Sequence, residues 1–207
     1  MQGVAFKNLQ AFYSIIRANK YFNRLIVFGS GAEYNKRFPV SMVKESDFDR
    51  YVPNDEYGFA KYVMAKYAEY ADHITHLRIF GMYGKHEDYQ TRFISNSICK
   101  VLLGLPITIK QDVYFDYVYV NDFVRIVDRI ISKNDLANKF YNIGTGRPVS
   151  LTSIAEIILK VLDSDLPIKV ATEGLNKEYT CNADLILDEL GDFEFTSHET
   201  AIGQLAE

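Results

Sequence analysis

The stretch RLIVFGSGAEYN, residues 24–35, decides the fold of this chain. The apolar run RLIVF is short and contains β-branched and aromatic residues, which predicts a buried strand. The glycines around Ser30 end the run, so we expect a Gly/Ser loop at the carboxyl end of the strand. In open parallel sheets, ligands bind beyond these carboxyl ends. The loop at Ser30 is therefore the first place to look for a functional site.

Helical and strand-like patterns alternate on both sides of this stretch. Apolar residues at helical spacing predict helices over residues 4–20, 57–71, 92–104, 121–132, 150–162 and 183–190. Short apolar runs predict strands over residues 75–81, 105–109, 117–120, 139–144 and 166–170, while residues 35–55 are predicted to form a polar loop. This alternation is typical of an α/β protein with a largely parallel sheet.

The composition narrows the class of protein. The chain has 207 residues, is 48% hydrophobic and 24% charged, and has a formal net charge of −4 with no basic cluster, so we expect no nucleic-acid partner. Cys99 and Cys181 are its two cysteines and lack metal-like spacing, which favours a reducing compartment and no metal site. No apolar run has transmembrane length, and the first residues do not resemble a signal peptide. We therefore expect a cytoplasmic protein without a membrane segment.

The stretch EYGFAKYVMAK, residues 56–66, contains the spacing Tyr-x-x-x-Lys twice. Each pair, Tyr57 with Lys61 and Tyr62 with Lys66, lies on one face of a helix, one turn apart. Chance produces such pairs in a chain rich in tyrosine and lysine, so the pattern alone favours ordinary surface residues. Position distinguishes the two: Tyr57 opens the helix directly after the loop that follows the RLIVF strand. Tyr62 points about 140° away around the same helix.

A hydroxyl, a phenol and an ammonium in this order form a possible reaction centre. A lysine ammonium one turn away stabilises the phenolate form of Tyr57. Tyr57 would then accept a proton from a substrate hydroxyl while hydride leaves the same carbon, or donate one during reduction. Ser30 would hold that hydroxyl. The alternative, that these are loop, helix-start and solvated side chains, stays open on the pattern alone.

Five motifs in order resemble the extended short-chain dehydrogenase/reductase superfamily. LIVFGSGAEYN is similar to its S-S/T-x-x-V-Y stretch, YGFAK to Y-G-x-S-K, and LRIFGMYG to L-R-x-F-N-V-Y-G-P. FDYVYVNDFVRIV is similar to R-D-F-V-Y-V-D-D-V-A, and FYNIGTGRPVSLTSIAEII to Y-N-I-G-T-G-x-x-x-S-L-x-E. The resemblance is to the NAD(P)-dependent epimerase/dehydratase family, which acts mainly on nucleotide sugars.

The resemblance implies a fold and a division of the chain. It predicts an incomplete Rossmann-like parallel sheet, the C-terminal part of a doubly wound domain, with a small α/β substrate-binding lobe. Residues 1–85 would be the remainder of the cofactor domain, residues 86–118 and 165–207 the substrate lobe, and residues 119–164 a return to the Rossmann-like domain. It also implies a homodimer formed through the helices at 4–20 and 57–71.

The resemblance also assigns roles to residues. Ser30 would orient the substrate hydroxyl, Tyr57 would be the acid/base, and Lys61 would bind the nicotinamide ribose of NAD or NADP. The implied cofactor contacts are Phe28, Gly29, Tyr57, Lys61, Phe80 and Tyr83. The implied substrate contacts are Gly31, Ala32, His86, Arg92, Asn96 and Arg147. With this support, the first Tyr-x-x-x-Lys pair is predicted to be functional and the second to be helix surface or packing.

Four departures from the family pattern bear on activity. The family's G-x-x-G-x-x-G turn, which binds the cofactor pyrophosphate, has no counterpart in this sequence. Gly31 and Ala32 stand where dehydratases have acid groups, which disfavours dehydration, and Ala32 also replaces the cysteine of the GDP-fucose-forming enzymes. Phe115 stands where an arginine contacts the nucleotide diphosphate, and Arg92 or Arg147 would have to replace it. His86, Glu87 and Asp88 are candidate substitute acid/base groups or a solvated loop.

Two functions therefore remain open. The first is NAD(P)-dependent epimerisation or reduction of a nucleotide sugar. The second is a catalytically silent C-terminal fragment that acts as a binding or assembly module. The missing glycine-rich turn favours the second for this chain, whereas the Ser-Tyr-Lys set favours the first. Matched to the family, residue 4 onward corresponds to the helix before the serine-bearing strand, so we expect the glycine-rich part in a longer protein or a second chain.

Overall fold

The computed structural model describes residues 3–207, and its elements alternate between helix and strand. The first part contains α1 (Val4–Ile16), β1 (Leu25–Ser30), β2 (Val40–Val43), α2 (Glu56–Glu69), β3 (Ile74–Ile79) and β4 (Gly81–Tyr83). The middle contains α3 (Phe93–Leu102), β5 (Ile107–Asp112), β6 (Tyr114–Phe115), β7 (Tyr117–Tyr119), α4 (Val120–Ser132) and β8 (Phe140–Ile143). The last part contains β9 (Val149–Ser150), α5 (Leu151–Val161), β10 (Ile168–Leu175), β11 (Tyr179–Cys181), α6 (Asp184–Leu190) and α7 (His198–Ala206). The predicted α/β class is confirmed.

A parallel sheet in the order β1-β3-β8 forms the centre of the Rossmann-like part. Ser30 pairs with Ile79, and Ile79 pairs with Ile143, so the carboxyl ends of all three strands meet at one edge of the sheet. Strand β1 lies at the end of this order, and β3 is its strand neighbour within residues 3–207. Among the described residues, RLIVF is therefore an edge strand.

The strands alternate their side chains between two helical layers. On one face, Val27 and Ile74 pack with Phe12 of α1 and Met64 of α2. On the other face, Leu77 packs with residues of α4 and α6, including Phe123, Ile126 and Ile186. This alternation places Gly29 on the same face as Val27, and His76 and Arg78 on the same face as Ile74. His76 and Arg78 therefore lie on the α2 side of the sheet.

A second core lies in the part of the chain that the resemblance assigns to a substrate-binding lobe. Helices α3, α5 and α7 pack on β5 and bury Ile94, Ile98, Ile107, Ile154, Ile158 and Ile202. Strand β5 pairs in parallel with β10. Two helices pack across the predicted domain boundaries: α5 lies with the lobe core, and α6 lies with the Rossmann-like layer. The division of the chain at residues 85, 118 and 164 otherwise stays a prediction.

Residues 35–55 are not one polar loop, as the sequence predicts, but contain β2 and the 3₁₀ turn Glu45–Asp47. Strand β2 belongs to a separate sheet in the order β2-β11-β6-β9, in which β6 and β9 are antiparallel. Its partner β11 begins at Tyr179, so the pairing partner lies far along the chain and leaves no local signal. Helix α7 is also missing from the elements that the sequence predicts, because it is short.

Within residues 3–207, none of the helices combines the length and the apolar character needed to cross a membrane.

Candidate active site

A cavity of about 900 Å³ opens beyond the carboxyl ends of β1 and β3. Its walls come from the end of β1, the start of α2, the segment after β3 and the strands β6, β7 and β11. The cavity is lined by every residue that the sequence assigns to catalysis or cofactor binding: Phe28, Gly29, Ser30, Tyr57, Lys61, Phe80 and Tyr83. The fold thus brings together residues that lie more than 50 positions apart in the chain.

Tyr57 and Lys61 lie one turn apart at the start of α2, which Asp55 caps by accepting a hydrogen bond from the Gly58 amide at 2.9 Å. A Cβ at Gly58 would lie 2.8 Å from the Ala32 carbonyl oxygen, so the absence of a side chain lets α2 approach the loop after β1. Tyr57 is 38% exposed. The Lys61 ammonium lies 5.8 Å from the centre of the Tyr57 ring. The helix start therefore presents the phenol and the ammonium to the cavity together.

Lys61 is also tied to strand β1. Its Nζ donates a hydrogen bond to the Phe28 carbonyl at 2.7 Å. Burial lowers the pKa of Lys61, and the negative charge of Glu33 opposes that shift. An ammonium group has three hydrogens to donate, so two remain available for a ligand.

Ser30 ends β1 and is buried at the floor of the cavity. Its Oγ accepts a hydrogen bond from the Ala32 amide at 3.2 Å, and its own amide donates to Glu33 Oε1 at 2.9 Å. A hydroxyl that accepts one bond still has its own hydrogen to donate. Ser30 is therefore held through its backbone, and its hydroxyl hydrogen can be donated to a ligand or to the Tyr179 hydroxyl.

The second Tyr-x-x-x-Lys pair does not reach this cavity. Tyr62 and Lys66 both bind Asp49, the first through its hydroxyl and the second through its ammonium at 3.0 Å. Burial raises the pKa of Tyr62, and Asp49 raises it further. The structure confirms that this pair belongs to the helix surface, as the sequence predicts.

The predicted substrate contacts divide between the cavity and other places. Arg92 lines the cavity. Gly31 and Ala32 are buried beneath it and are not part of its lining: Gly31 packs against Phe80 and Tyr179, and the Ala32 carbonyl packs against Gly58. Of these three, only the side chain of Arg92 lies where a ligand in the cavity can reach it.

The remaining predicted contacts lie outside this cavity. His86 is exposed and has a positive φ of 73°. The Asn96 side chain donates to the Tyr89 carbonyl at 3.0 Å. Arg147 lines a second crevice of about 480 Å³ beside the loop after β8. The structure does not bring these three side chains to Ser30 and Tyr57.

Several cavity residues were missed from the sequence. These are Lys36, Tyr117, Lys177 and Tyr179, whereas Glu87 and Asp88, two of the three candidate acid/base groups of the loop, also line the cavity. A Cβ at Gly31 would lie 2.6 Å from the Tyr179 hydroxyl, so the glycine after Ser30 makes room for this phenol. Burial raises the pKa of Tyr179, which keeps the phenol protonated, although hydrogen bonding with Ser30 opposes the shift. The one sequence signal for Tyr179 is Gly31, a glycine at the position where the family's dehydratases carry an acid group.

Phe115 takes the place of the family's arginine and turns this wall aromatic. Its ring lies 5.3 Å from Tyr117 and 5.9 Å from Tyr179. The next residue, Asp116, is buried and accepts hydrogen bonds from the amides of Thr145 at 2.6 Å and Gly146 at 2.9 Å. The motif's aspartate thus fixes the Gly-Thr-Gly turn, whereas the cavity's positive charges come from Lys36, Lys61, Arg92 and Lys177.

A model of the NAD dependent epimerase/dehydratase family matches residues 4–144. This match covers more than half of the chain, and the chain belongs to that family. A search of curated protein sequences gave no match.

Solved structures show the same fold. These structures include both dehydratases and epimerases. The dTDP-glucose 4,6-dehydratase of Bacillus anthracis in complex with NAD superposes with a TM-score of 0.80 at 18% identity, covering 99% of this chain and 68% of that one. The UDP-N-acetylglucosamine 4-epimerase of Methanobrevibacter ruminantium gives 0.79 at 22% identity, covering 96% and 67%. The UDP-glucose 4-epimerase of Thermotoga maritima gives 0.77 at 23% identity, covering 96% and 66%. The chain spans about two thirds of the length of these structures.

Proposed function

We propose that this protein takes part in NAD(P)-dependent epimerisation or reduction at a sugar carbon of a nucleotide sugar. The observation that supports it most is the convergence of Ser30, Tyr57 and Lys61 on one cavity at the carboxyl edge of the sheet, in a member of this family. The description of the family covers both epimerisation and dehydration, so membership does not choose between them. The buried Gly31 and Ala32 offer no acid group beside Ser30, which favours epimerisation or reduction over loss of water.

The chain's own groups divide the proton chemistry. Ser30 donates a hydrogen bond to the oxygen on the reacting carbon and holds it at the floor of the cavity. Tyr57, partly exposed and beside the Lys61 ammonium, accepts the proton of that hydroxyl and returns it when the sugar is reduced again. Lys61 stabilises the phenolate form of Tyr57 by its positive charge. NAD, when bound, would supply the reversible acceptance of hydride from the same carbon.

The residues present fit one end of the cofactor. Two hydrogens of the Lys61 ammonium and the Tyr57 hydroxyl suit ribose hydroxyls, and Phe28, Gly29, Phe80 and Tyr83 supply the walls. The pyrophosphate end has no matching turn, because the sequence lacks G-x-x-G-x-x-G. This chain therefore fits the nicotinamide ribose and not the phosphates.

The cavity suits a nucleotide sugar in size and charge. Its volume of about 900 Å³ lies in the range of ligand sites. Arg92 is exposed at its rim, whereas Arg147 lies in the other crevice, so Arg92 is the better replacement for the diphosphate contact that Phe115 does not make. The aromatic wall of Phe115, Tyr117 and Tyr179 would pack on the sugar or the base.

The alternative is a catalytically silent chain that binds a ligand or a partner without converting it, and the missing glycine-rich turn favours it. Incubation with NAD and a panel of UDP-glucose, UDP-glucuronic acid and UDP-N-acetylglucosamine, followed by chromatography of the sugars, distinguishes the two. Formation of an epimer or a keto sugar supports the enzyme. Binding of a nucleotide sugar without conversion supports the silent module, and absence of binding contradicts both for these ligands.

We expect residues 1–207 alone to bind NADH with a Kd weaker than about 100 μM, because only the nicotinamide end has protein contacts. Titration calorimetry of the chain with NADH measures this Kd. Reduced nicotinamide mononucleotide, which lacks the adenosine half, is the matched control and should bind about as well as NADH. Micromolar affinity for NADH, or a large advantage over the mononucleotide, would show that the chain holds the adenosine half.

We also expect a homodimer formed through α1 and α2. Phe12, Ile16, Met64 and Ala68 pack inward, yet Phe6, Tyr13, Ile15 and Tyr70 stay exposed on the same two helices. Light scattering should give twice the chain mass, and Ile15→Glu should shift it toward the monomer because it places a charge in the apolar face. Leu103→Glu, on a leucine that is also exposed but lies after α3, is the control and should leave the dimer intact. A monomer at high micromolar concentration contradicts the proposal.

A further inference from the structure

Three ionisable side chains are buried together beneath the end of strand β1. Glu33 and His76 are 0% exposed and Arg78 is 1% exposed. Glu33 Oε1 lies 2.9 Å from His76 Nε2, and Glu33 Oε2 accepts a hydrogen bond from Arg78 Nε at 2.7 Å. His76 and Arg78 reach the same carboxylate because they lie two positions apart on β3 and face the same side of the sheet. Charged groups buried so completely need partners, and here they are one another's.

The chain leaves space for this cluster at Gly29. A Cβ at Gly29 would lie 2.4 Å from Glu33 Oε1 and 2.2 Å from His76 Nε2. Both distances are far shorter than a van der Waals contact. Strand β1 therefore rests directly on the carboxylate at the position before Ser30, and a side chain there would push the two apart.

Glu33 contacts the active-site strand itself. Its Oε1 accepts the Ser30 amide hydrogen at 2.9 Å, and Ser30 Oγ in turn accepts the Ala32 amide hydrogen at 3.2 Å, which closes a reciprocal cap on the 3₁₀ turn Gly31–Tyr34. Two residues earlier, the Phe28 carbonyl accepts the Lys61 hydrogen bond. The same short stretch of β1 thus joins Glu33 below to Ser30 and Lys61 above.

We propose that Glu33 is a positioning residue of the site, which fixes Ser30 at the cavity floor and places a buried negative charge near Lys61. The inference rests on the proposed function, because it concerns the two groups assigned to substrate and cofactor. Glu33 touches neither ligand itself. It stands where the resembling motif has valine, so this role does not come from the family pattern.

The electrostatic part of the role follows from where the charges lie. Burial lowers the pKa of Lys61, and Glu33 is the charged group that opposes this shift. Arg78 holds one carboxylate oxygen of Glu33 from below, so part of its charge is compensated away from the cavity. The other titratable groups that line the cavity with Lys61 are Tyr57 on its own helix and, around it, Lys36, Tyr83, Glu87, Asp88, Arg92, Tyr117, Lys177, Glu178 and Tyr179.

The first test is the titration of the Lys61 ammonium, followed by NMR on the ¹⁵N-lysine-labelled chain. In Glu33→Gln, which keeps the shape and removes the charge, the Lys61 titration should move to lower pH. Glu189→Gln is the matched control, since Glu189 is a buried carboxylate paired with Lys133 on the other side of the molecule. An unchanged Lys61 titration in Glu33→Gln, or an equal shift in Glu189→Gln, overturns the electrostatic role.

The second test is amide hydrogen exchange at Ser30 in the unmodified chain and in Glu33→Gln. The Ser30 amide should be protected in the unmodified chain and should exchange about tenfold faster in the variant, where a charge-assisted bond becomes a neutral one. If the variant does not fold, the unmodified chain still decides: exchange at the rate of an unstructured amide overturns the placement of Ser30. Neither test uses a cofactor or a nucleotide sugar, so failure here is distinct from failure of the proposed function.

Discussion

Tyr57→Phe is expected to lower the turnover of a nucleotide sugar by about two to four orders of magnitude in the cofactor-loaded protein, the usual contribution of a general acid/base. The substitution removes only the phenolic oxygen, and the ring keeps its place beside Lys61 at the start of α2. Binding of the sugar nucleotide should change little, because Ser30, Arg92 and the aromatic wall remain. The loss should therefore appear in kcat rather than in KM.

Tyr62→Phe is the matched control for this result. It removes the same atom from the second Tyr-x-x-x-Lys pair, five residues along the same helix, where the phenol binds Asp49 outside the cavity. Its effect on turnover should be small. Equal losses in the two variants would contradict the assignment of the first pair, whereas a loss only in Tyr62→Phe would transfer the role to the second.

Arg78→Met is expected to lower the free energy of unfolding by about 3–5 kcal/mol, the cost of leaving one member of a buried ion pair without its partner. Glu33 would keep its bonds to His76 and Ser30 and lose its permanent positive partner. In the intact chain, burial alone would raise the pKa of Glu33, but the interactions with His76, the charge of Arg78 and the hydrogen bond from the Ser30 amide outweigh it and hold the pKa below its usual value. Urea unfolding followed by circular dichroism measures the change.

Arg125→Met is the control for this prediction. Arg125 also pairs with a buried carboxylate, Asp122 at 2.8 Å, but its own side chain is half exposed. Asp122 further accepts the Thr196 amide and hydroxyl, each at 2.8 Å, so it stays bonded when Arg125 is removed. The loss should be much smaller than for Arg78→Met. Equal losses would mean that the Glu33 cluster contributes no more than an ordinary half-exposed pair.

The sequence by itself determined the α/β class and the central strands, and its resemblance to the family singled out Ser30, Tyr57 and Lys61. These features depend on short-range patterns: an apolar run that ends in Gly-Ser-Gly, and a helix that begins at a Tyr-x-x-x-Lys pair. Strand β1 begins within one residue of the predicted run, and α2 begins one residue before Tyr57. Local periodicity is enough for such elements because their hydrogen bonds or their burial repeat within a few residues.

The tertiary structure alone decided which distant residues complete the site. Tyr179 reaches Ser30 because β11 pairs with β2 and β6, and no local pattern records pairings between segments so far apart in the chain. His76 and Arg78 look like polar interruptions of a strand until the sheet places them under Glu33. His86, Asn96 and Arg147 show the converse, since the loops of His86 and Arg147 and the face of α3 that carries Asn96 lie outside the cavity lining. The direction of a loop side chain and the pairing of distant strands both depend on contacts between segments. The sequence of one segment alone does not specify those contacts.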